Sequence, residues 1–496
     1  MAKNNQKEKD IGITVKKNEN FSEWFSQVVS KAELSDIRYG VQGCIVHMPW
    51  AIRIIKKMYD KLEEKVEDDE HEPYLFPTLI KQENLLKEKE HAGFTPEVFW
   101  ITKAGDAKLE EPLALRPTGE TQIYPMYSLW LRNHNQLPFK RYQSRHTVFR
   151  NEMTTRPFLR GREFLFFETH NMYKNHEDTI VQIKKDLEMM KEVFWDEWKI
   201  PFKFFIRPKW DKFLGADNTY VTDTLMPDGK RNQMSSTHDL GINFAKAFNI
   251  KFIDENQEEK FAHQSCWGPG IWRLIASIIA IHGDDQGLIL PFSLAPYQIV
   301  IVPITFSKKP KLTQEILEKT KEIKKILKKT YRVYVDLRSD KSPGFKFNEW
   351  EMKGVPIRLE IGPKDLENNQ VTVSRRTSNE KIQIKFDELE TNIKNSAELF
   401  QKEIENKATN YFKDNTRNAN TLDEIKKIIK SFRGFVKIPF CSIIDGEECA
   451  NTIKSETNGA YVCGEEWPTA KETPENSICP ICKKPAKKYV FIAKSY

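Results

Sequence analysis

The segment from 140 to 173 most constrains the fold, because two apolar stretches flank a highly charged turn. Its centre, RNEMTTRPFLRGREF (150–164), contains four arginines and two glutamates. This pattern predicts two antiparallel strands joined by a charged loop. On a continuous strand, Arg150 and Glu152 would point to the same face, since they stand two positions apart. We therefore expect an antiparallel sheet that presents a ligand site; a solvated hairpin with surface ion pairs is the alternative.

The residue types in this turn favour a nucleotide as the ligand. A guanidinium such as that of Arg150 can bind a carboxylate or a phosphate through two parallel hydrogen bonds. The carboxylate of Glu152 can accept a hydrogen bond from an exocyclic amine, which adenine offers. Gly161 follows Arg160, and its missing Cβ permits close approach of the backbone to a ligand.

The chain as a whole has the composition of a folded protein with several domains. Its 496 residues are 39% hydrophobic and 30% charged, which is ordinary for a soluble globular protein. It contains no apolar run of about 18 residues, so no membrane-spanning helix is expected, and MAKNNQKEKDIG lacks the apolar core of a secretory signal. Lysine and arginine outnumber aspartate and glutamate by 78 to 71, an excess that permits a polyanionic partner without requiring one.

Hydrophobic periodicity changes along the chain and indicates separate units. MPWAIRIIKKMYDKLEEKVE (48–67) predicts an amphipathic helix with Ile52, Ile55 and Leu62 on its apolar face. From about 296, strands such as APYQIVIVPI alternate with helices such as KLTQEILEKTKEIKKILKK (311–329). This alternation predicts a compact α/β domain, after which a long polar helix leads into a cysteine-rich segment.

Five of the seven cysteines lie in the last 56 residues of the chain, which favours an intracellular metal site over a disulfide framework. CPIC (479–482) has the spacing of a metal half-site, whereas CSIIDGEEC (441–449) is wider. We expect a structural zinc ion bound by Cys441, Cys449, Cys479 and Cys482, since four thiolates leave no open coordination position. Two alternatives stay open: Cys463 replaces Cys449, or the cysteines are reduced and bind no metal.

Three segments together resemble the motifs of class II aminoacyl-tRNA synthetases. In that family an R-x-E strand, a variable loop and a returning strand with a second arginine form motif 2, which binds ATP, and 150–164 has this form. WGPGIWRLIASIIAIHGDDQGLILP (267–291) resembles motif 3, a glycine-rich turn and an arginine at the start of a buried helix. Residues 48–77 resemble motif 1, which implies a homodimer interface.

Other segments resemble prolyl-tRNA synthetases in particular. They are HAGFTPEVFWIT (91–102), LALRPTGETQIYP (113–125) and SPGFKFNEWEMKGVPIRLEIGPKD (342–365). The resemblance implies a flexible polar tail (1–19) and an α+β class II catalytic domain with an antiparallel sheet and helices (20–294). It further implies an α/β anticodon-binding domain (295–397) and a small α/β C-terminal domain that contains zinc (398–496).

The resemblance also implies an activity and its partners. A protein of this family is a proline–tRNA ligase, which makes prolyl-adenylate from L-proline and ATP with Mg²⁺ and then transfers proline to tRNA(Pro). We expect a cytoplasmic homodimer without a membrane segment. Only about 100 residues separate motif 2 from motif 3, so the large editing insertion of bacterial-type enzymes has no room there.

The family's functional residues map onto matching positions of this sequence. The predicted proline-binding residues are Thr118, Glu120, Arg150 and His238, with Phe94, Phe166 and Trp267 as the apolar wall. The predicted ATP-binding residues are Arg150, Glu152, Arg160, Gly161, Gln233, Ser236 and Arg273, of which Arg150 and Arg273 are expected to be catalytic. The predicted anticodon-binding residues are Phe345, Glu351, Lys353 and Arg358. Family members of this type also end in tyrosine, which implies that Tyr496 lies towards the catalytic domain.

Several positions depart from the family pattern. Gly119 stands where serine is usual, Gly161 where threonine is common, Phe166 where tryptophan is usual and Ser236 where threonine is usual. Motif 3 is one residue longer than expected, so Ile271 occupies the place of a threonine that contacts the nucleotide. Two other functions stay open: a class II synthetase for another amino acid, and a non-catalytic RNA-binding paralogue with the same fold.

Overall fold

The structure, a computed structural model, describes residues 12–92, 98–378, 380–468, 474 and 476–496. The N-terminal half is built on an antiparallel sheet with helices on both sides. Its elements are α1 (Phe21–Lys31), β1 (Ser35–Asp36), β2 (Val46–His47), α2 (Pro49–Asp68), β3 (Glu72–Pro73), β4 (Leu79–Lys81), α3 (Gln82–Ala92), β5 (Trp100–Ala104), β6 (Ala107–Leu115), α4 (Glu120–Trp130), β7 (Phe139–Phe149), β8 (Glu163–Tyr173), α5 (His176–Met190), β9 (Lys203–Ile206), β10 (Asn218–Leu225), β11 (Arg231–Gly241), α6 (Asn243–Phe248), β12 (Lys251–Ile253), β13 (Glu259–Phe261), β14 (His263–Pro269) and α7 (Ile271–His282).

The charged hairpin lies towards one end of the main sheet, next to its edge strand. Strands β9, β10, β11, β14, β8 and β7 are antiparallel neighbours in that order, and the short strand β3 pairs with β7 in parallel at the edge. Strands β7 and β8 are the two arms of the hairpin that the sequence predicts. Strands β9 to β11 come from the segment between motifs 2 and 3, so this segment completes the sheet and does not form an inserted domain.

Helix α7 is buried on nearly every side. Eleven of its 12 residues are buried, and Arg273 is the exception. A helix that is apolar all round must pack inside the protein, and α7 contacts β8, β11, α1 and α2. This packing fixes Arg273 in position one turn from the end of the glycine-rich segment 268–270.

Helix α2 is the amphipathic helix expected from 48–67. Its buried face includes Ile55 and Leu62, as predicted. Ile52 does not belong to that face and is 38% exposed, so this part of the prediction is wrong. Trp50 and Ile54 are buried in its place, because the core stripe starts with the tryptophan at the second position of the helix.

The next unit is a five-stranded α/β domain. Its elements are β15 (Ile299–Pro303), α8 (Pro310–Leu327), β16 (Val333–Val335), α9 (Pro343–Met352), β17 (Ile357–Ile361), α10 (Pro363–Glu367), β18 (Gln370–Arg375) and β19 (Lys381–Lys385). The strand order is β16–β15–β17–β18–β19, with parallel pairs on one side and antiparallel pairs on the other. Helix α8 buries Ile316, Ile323 and Leu327 against this sheet, as its periodicity predicts.

The C-terminal part extends the main sheet. Its elements are α11 (Leu389–Asp414), β20 (Thr416–Asn418), α12 (Leu422–Ser431), β21 (Phe435–Phe440), α13 (Glu447–Glu456), β22 (Ala460–Glu466) and β23 (Lys488–Lys494). Strand β22 pairs with β9, so one sheet of eleven strands runs through the C-terminal and N-terminal parts. The boundary expected at 397/398 falls within the continuous helix α11.

Part of the expected N-terminal tail packs against the first unit. Lys17 Nζ donates a hydrogen bond of 2.6 Å to the carbonyl oxygen of Gly283, and Lys17 N donates one of 2.8 Å to Asp285 Oδ1. Residues 12–19 are therefore attached to the end of α7, while residues 1–11 lie outside the described residues. Within the described ranges, the helices are all too short or too polar to cross a membrane.

Candidate active site

Most of the predicted proline-binding and ATP-binding residues line one cavity. The cavity has a volume of about 320 Å³ and lies on the face of the main sheet. The predicted residues in its wall are Thr118, Glu120, Arg150, Phe166, Gln233, Ser236, His238 and Trp267. They come from α4, β8, β11, β14 and the loops beside them, so the sheet brings together residues that are far apart in sequence. Phe94 lies outside the described residues.

Arg150 and Glu152 lie on a turn, and the prediction that they continue a strand is wrong. Strand β7 ends at Phe149, where the ladder with β8 stops. Beyond it, Arg150 N donates to the carbonyl oxygen of Arg162 at 3.0 Å, and Glu152 N donates to the carbonyl oxygen of Arg150 at 2.9 Å. The first of these bonds still joins the two arms in the register of the ladder, whereas the second is local and bends the chain. Arg150 still reaches the cavity.

Glu152 and Arg160 form an ion pair across the motif 2 loop. Arg160 Nη1 donates a hydrogen bond of 3.0 Å to Glu152 Oε2. Arg160 Nη2 also donates one of 3.2 Å to the carbonyl oxygen of Tyr496, which brings this tyrosine to the catalytic domain. Both charged groups are partly exposed, so a ligand can exchange with either partner at modest cost.

The other two arginines of the turn have structural partners. Arg156 Nη2 donates to the carbonyl oxygen of Ser22 at 2.8 Å, and its guanidinium lies 5.0 Å from the ring centroid of Phe25. Arg162 Nε donates to the carbonyl oxygen of Glu152 at 3.0 Å. Arg156 thus fixes the loop against α1, and Arg162 supports the backbone beneath Glu152.

Gly161 accommodates a tryptophan of motif 3. A Cβ atom at position 161 would lie 2.4 Å from Cζ3 of Trp272 and 2.9 Å from the carbonyl oxygen of Gly43. Trp272 is 3% exposed, and its Nε1 donates a hydrogen bond of 2.9 Å to His47 Nε2. Glycine at position 161 and tryptophan at position 272 therefore depend on each other, which accounts for the absence of threonine at position 161.

We expect Gly161→Thr to destabilise the protein by about 1–3 kcal/mol, because the added atoms overpack a filled site. Urea unfolding of the variant measures this cost. In a Trp272→Ala background the same substitution should cost clearly less, since the ring that it meets is gone. Gly344→Thr is the matched control, because no atom lies within 4 Å of a Cβ at position 344. Equal costs in the two backgrounds would contradict the assignment.

Glu120 is a buried carboxylate at the start of α4. It is 3% exposed and accepts a hydrogen bond from the hydroxyl of Thr118. Cys266 Sγ lies 3.7 Å from Glu120 Oε1. Burial and the carboxylates of Glu120 and Glu168 raise the pKa of Cys266 well above its usual value, so the thiol keeps its proton. A ring nitrogen of His170 also lies within 4.8 Å of the Glu120 carboxylate. A carboxylate that is this buried and lines the cavity favours a cationic ligand.

Glu168 and His170, which the sequence interpretation missed, lie in the same wall. Glu168 is 3% exposed and stands 3.1 Å from Nε2 of His146 and 3.1 Å from Nε2 of His170. Burial opposes its charge, but the two histidines lower the pKa of Glu168 below its usual value. Burial also opposes the charge of His170, but Glu168 raises the pKa of His170. Tyr124 and Gln143 complete the network, in which Glu168 and His170 stabilise the charged form of each other.

His238 is a neutral histidine in the wall. Burial, with a smaller effect of the charge on His170, lowers the pKa of His238 to about 3. Its Nδ1 lies 2.9 Å from the hydroxyl of Thr219, and its ring centroid lies 4.6 Å from that of Phe213. His238 therefore offers a fixed, uncharged surface at neutral pH.

Arg273 approaches the site from the start of α7. Its Nη1 donates a hydrogen bond of 3.0 Å to Asn232 Oδ1. Burial, followed by the positive charges of Arg160 and Arg231, lowers the pKa of Arg273 to about 10, so it stays charged at neutral pH. The gathering of these cations indicates an anion-binding region.

The predicted apolar wall is formed by two aromatic residues with different exposure. Trp267 is fully buried, and its Nε1 donates a hydrogen bond of 3.2 Å to Met190 Sδ. Phe166 is partly exposed, and its Cζ lies 2.8 Å from where a Cβ of Gly268 would be. Phe166 thus supplies the open side of the wall, and Trp267 supports it from below.

Three segments of the chain match known families. Residues 99–282 match a family described as tRNA synthetase class II core domain (G, H, P, S and T), and residues 298–396 match an anticodon binding domain. Residues 422–496 match the C-terminal domain of prolyl-tRNA synthetase. A proline–tRNA ligase of Thermofilum pendens is 49% identical over 98% of this chain and 99% of its own length. The chain belongs to the prolyl-tRNA synthetases.

Other members of the family are similar over their full length. A proline–tRNA ligase of Pyrococcus abyssi is 40% identical over 96% of this chain and 98% of its own length. The Giardia lamblia prolyl-tRNA synthetase, solved in complex with prolyl-adenylate, has a TM-score of 0.93 at 33% identity and covers 98% of this chain and 100% of its own. The enzyme from Cryptosporidium parvum, complexed with halofuginone and AMPPNP, has a TM-score of 0.91 at 33% identity with the same coverage. The expected family and fold class are confirmed.

A cluster of four cysteines lies in the C-terminal domain of this prolyl-tRNA synthetase. The sulfur atoms of Cys441, Cys449, Cys479 and Cys482 are all within 4.8 Å of one another, and Cys441 Sγ and Cys449 Sγ are 3.8 Å apart. Zinc–sulfur bonds of about 2.3 Å in a tetrahedron put the sulfur atoms about 3.8 Å apart, so the donor set fits zinc. Cys463 is not part of the cluster; it is buried, and its Sγ lies 3.7 Å from the carbonyl oxygen of Tyr461.

The predicted anticodon residues of this prolyl-tRNA synthetase lie on α9, just after it and on β17. Phe345 is partly exposed. Arg358 Nη1 donates a hydrogen bond of 2.6 Å to Glu351 Oε1. Lys353 instead points between domains, where its Nζ lies 2.8 Å from Glu33 Oε2. The ion pairs hold three of the four side chains in fixed positions.

Proposed function

We propose that the chain ligates proline to tRNA(Pro) in two steps: activation of L-proline with ATP to prolyl-adenylate and pyrophosphate, and transfer of proline to the 3′ end of the tRNA. The observation that carries this proposal is the single cavity that joins Thr118, Glu120, Arg150 and His238. A buried carboxylate, a neutral imidazole and a guanidinium there match the ammonium, the ring and the carboxylate of one amino acid.

The proline subsite would use each of these groups for a distinct part of the substrate. Thr118 and Glu120 accept hydrogen bonds from the secondary ammonium, which carries two donors. Arg150 holds the carboxylate of proline next to the α-phosphate of ATP. His238 closes the pocket as a neutral group. Phe166 and Trp267 form the apolar wall for the ring, and Phe94 is proposed to belong to it from the sequence resemblance alone.

The nucleotide subsite would lie over the motif 2 turn. Glu152 accepts from the adenine amine, and Arg160 turns from Glu152 towards the phosphates. Gln233 and Ser236 contact the ribose, the backbone at Gly161 lies beside the nucleotide, and Arg273 binds the γ-phosphate or the adenine face. Mg²⁺ enters with ATP, is bound chiefly by phosphate oxygens and offsets their negative charge.

Catalysis in this arrangement rests on position and charge. Arg150 would place the carboxylate oxygen of proline in line with the α-phosphorus, which removes the entropic cost of bringing the two reactants together. Arg150 and Arg273 are fixed by the surrounding fold, so they can stabilise negative charge on the phosphate in the transition state without rearrangement. The reaction needs no covalent enzyme intermediate.

The other units would bind the tRNA and a second copy of the chain. Phe345 is suited to stack on an anticodon base, and Glu351 to accept from guanine N1 and N2; Arg358 orients Glu351. Lys353 is a weaker candidate because Glu33 engages it. Within and just after the motif 1 segment (48–77), the apolar side chains of Ile52, Leu75 and Leu79 are exposed, which supports a homodimer through this segment.

The C-terminal domain would bind one structural zinc ion through Cys441, Cys449, Cys479 and Cys482. Because zinc needs reduced thiolates, we place the protein in the cytoplasm. We also retain 20–294, 295–397 and 398–496 as the catalytic, anticodon-binding and zinc-binding domains.

ATP–pyrophosphate exchange tests the function directly. We expect exchange with proline and weak, detectable exchange with alanine at high concentration, because each missing methylene provides only about 1–3 kcal/mol of discrimination against alanine. Threonine, serine, glycine and histidine should give none. Exchange with one of those four alone would indicate a sister enzyme, and no exchange with any amino acid would favour a non-catalytic RNA-binding protein. The absence of exchange with alanine would contradict only the prediction that the proline pocket discriminates weakly against alanine.

A further inference from the structure

Strand β22 of the C-terminal domain meets β9 of the catalytic domain at a short junction. Glu465 pairs with Ile206 and Glu466 with Phe205. On its other side β22 pairs with β23, but the register shifts between Val462 and Gly464, so Cys463 is an extra residue in the strand. Such a bulge takes a peptide group out of the ladder and is common beside active sites.

Glycine at position 464 permits this bulge at the junction. Its φ is +139°, and a Cβ there would lie 2.2 Å from the carbonyl oxygen of Ile206. An L-residue with a side chain would both strain the backbone and separate the two strands. The bulge and the close approach leave the carbonyl oxygen of Cys463 directed at the catalytic domain, where Arg207 Nη1 donates a hydrogen bond of 2.6 Å to it.

Arg207 connects that carbonyl to the cavity. It follows β9 directly, and its backbone N donates to the carbonyl oxygen of Thr219 at 2.8 Å. Its Nη2 donates a hydrogen bond of 2.8 Å to Gln233 Oε1 and lies 3.2 Å from Asp223 Oδ2. The side chain is 2% exposed. One guanidinium therefore joins the bulged strand β22 of the C-terminal domain, Asp223 on β10 of the main sheet, and Gln233 in the cavity wall.

The charge of Arg207 is balanced without the ligand. Asp223 is fully buried and also accepts a hydrogen bond of 2.8 Å from Arg231 Nη1, while Asp211 Oδ2 lies 3.8 Å from Arg207 Nε. Two cations thus face two carboxylates. Arg207 is held in place by these partners and has no need of a substrate anion for neutralisation.

The bond to Arg207 determines which end of the Gln233 amide meets a ligand. Because Oε1 accepts from Arg207, the Nε2 group is left as the donor on the cavity side. A ribose hydroxyl or phosphate oxygen can accept from it. If the guanidinium were absent, the amide could rotate and present either end.

We propose that Arg207 is a positioning residue for the nucleotide: the carbonyl of Cys463 fixes it, it orients the Gln233 amide, and it thereby makes ATP affinity depend on the seating of the C-terminal domain. This inference rests on the proposed contact between Gln233 and the nucleotide. It assigns no contact between Arg207 and the reacting atoms.

The test measures KM for ATP and for proline by pyrophosphate exchange, together with thermal unfolding, in Arg207→Met, Arg207→Lys and Gln233→Ala. Lysine keeps the charge but cannot bridge three acceptors. Both Arg207 variants and Gln233→Ala should raise KM for ATP about tenfold and leave KM for proline within about twofold. Lys203→Met is the matched control: Lys203 Nζ bonds Glu466 Oε1 at 2.8 Å across the same junction but does not reach Gln233.

The outcomes separate this inference from the proposed function. A raised KM for ATP in Gln233→Ala with an unchanged value in both Arg207 variants overturns the positioning role alone. An unchanged KM for ATP in Gln233→Ala would show that Gln233 does not contact the nucleotide, and it would overturn the inference about Arg207. Proline-dependent exchange would still support the ligase function. An equal rise in Lys203→Met would show that weakening the junction is sufficient to raise KM for ATP, and it would overturn the positioning role assigned to Arg207. If Arg207→Met does not fold, Arg207→Lys combined with Gln233→Ala decides: KM equal to that of Gln233→Ala supports the proposal, and additive effects overturn it.

Discussion

Arg150→Ala is expected to lower kcat/KM for proline-dependent pyrophosphate exchange by about 10²–10³-fold. The reason is that one guanidinium, fixed by a turn after β7, is proposed to hold the carboxylate of proline beside the α-phosphate. Its loss removes both the alignment of the reactants and a charge that stabilises the transition state. Steady-state exchange kinetics at varied proline and ATP concentrations measure the effect, and both kcat and KM for proline should change.

Arg145→Ala is the matched control for this experiment. Arg145 lies on β7, the strand that leads to Arg150, but its guanidinium pairs with Asp60 and Glu63 on α2, away from the cavity. It should keep exchange activity within about twofold, since partly exposed ion pairs contribute little. Full activity of Arg150→Ala would contradict the proposal that Arg150 holds the carboxylate of proline beside the α-phosphate.

Cys479→Ser is expected to reduce bound zinc from one ion per chain to nearly none and to unfold the C-terminal domain. Structural zinc sites contribute about 10–16 kcal/mol of apparent binding free energy at neutral pH, which exceeds the stability of a typical domain. Metal analysis of protein purified without chelators gives the zinc content, and thermal unfolding gives the stability. Cys479 is fully buried, so the change in stability should be large.

Cys463→Ser separates the metal site from a general effect of removing a buried thiol. Cys463 is as buried as Cys479 but lies outside the four-cysteine cluster. We expect this variant to retain one zinc ion and to lose only about 1–3 kcal/mol from burying a hydroxyl. Retention of a full equivalent of zinc by Cys479→Ser, or its loss from Cys463→Ser, would refute the ligand set.

The features that the sequence predicted well are those encoded by local periodicity and by motif spacing. The unbroken apolar pattern of α7 predicted a buried helix, and the charges between β7 and β8 predicted a hairpin. The strand through Arg150 and Glu152 was mispredicted because alternation cannot reveal where a ladder stops. Beyond that point Glu152 N bonds the carbonyl oxygen of Arg150, a local turn that the alternation of residue types does not encode.

The residues of the site that the sequence interpretation missed differ in how far the sequence reveals them. Glu168 and His170 stand at i and i+2 on β8, with Thr169 between them, and two ionisable residues with this spacing on a strand are a signal of a buried polar network. The role of Arg207 had no comparable signal, since its partners Gln233 and Cys463 become neighbours only through the pairing of β9 with β10 and β22. Contacts of this kind depend on the order of strands in the sheet.

The pairing of β9 with β22 has a consequence for biosynthesis. About half of the chain separates the two strands in sequence, so the ribosome completes the catalytic sheet long before the strand that borders it. Until β22 emerges, the peptide groups of β9 form an open edge, which is the kind of surface on which nascent chains associate wrongly. The C-terminal domain, which is made last, therefore covers the edge of β9 in the catalytic domain. The speed of translation through the intervening half of the chain sets how long that edge is exposed.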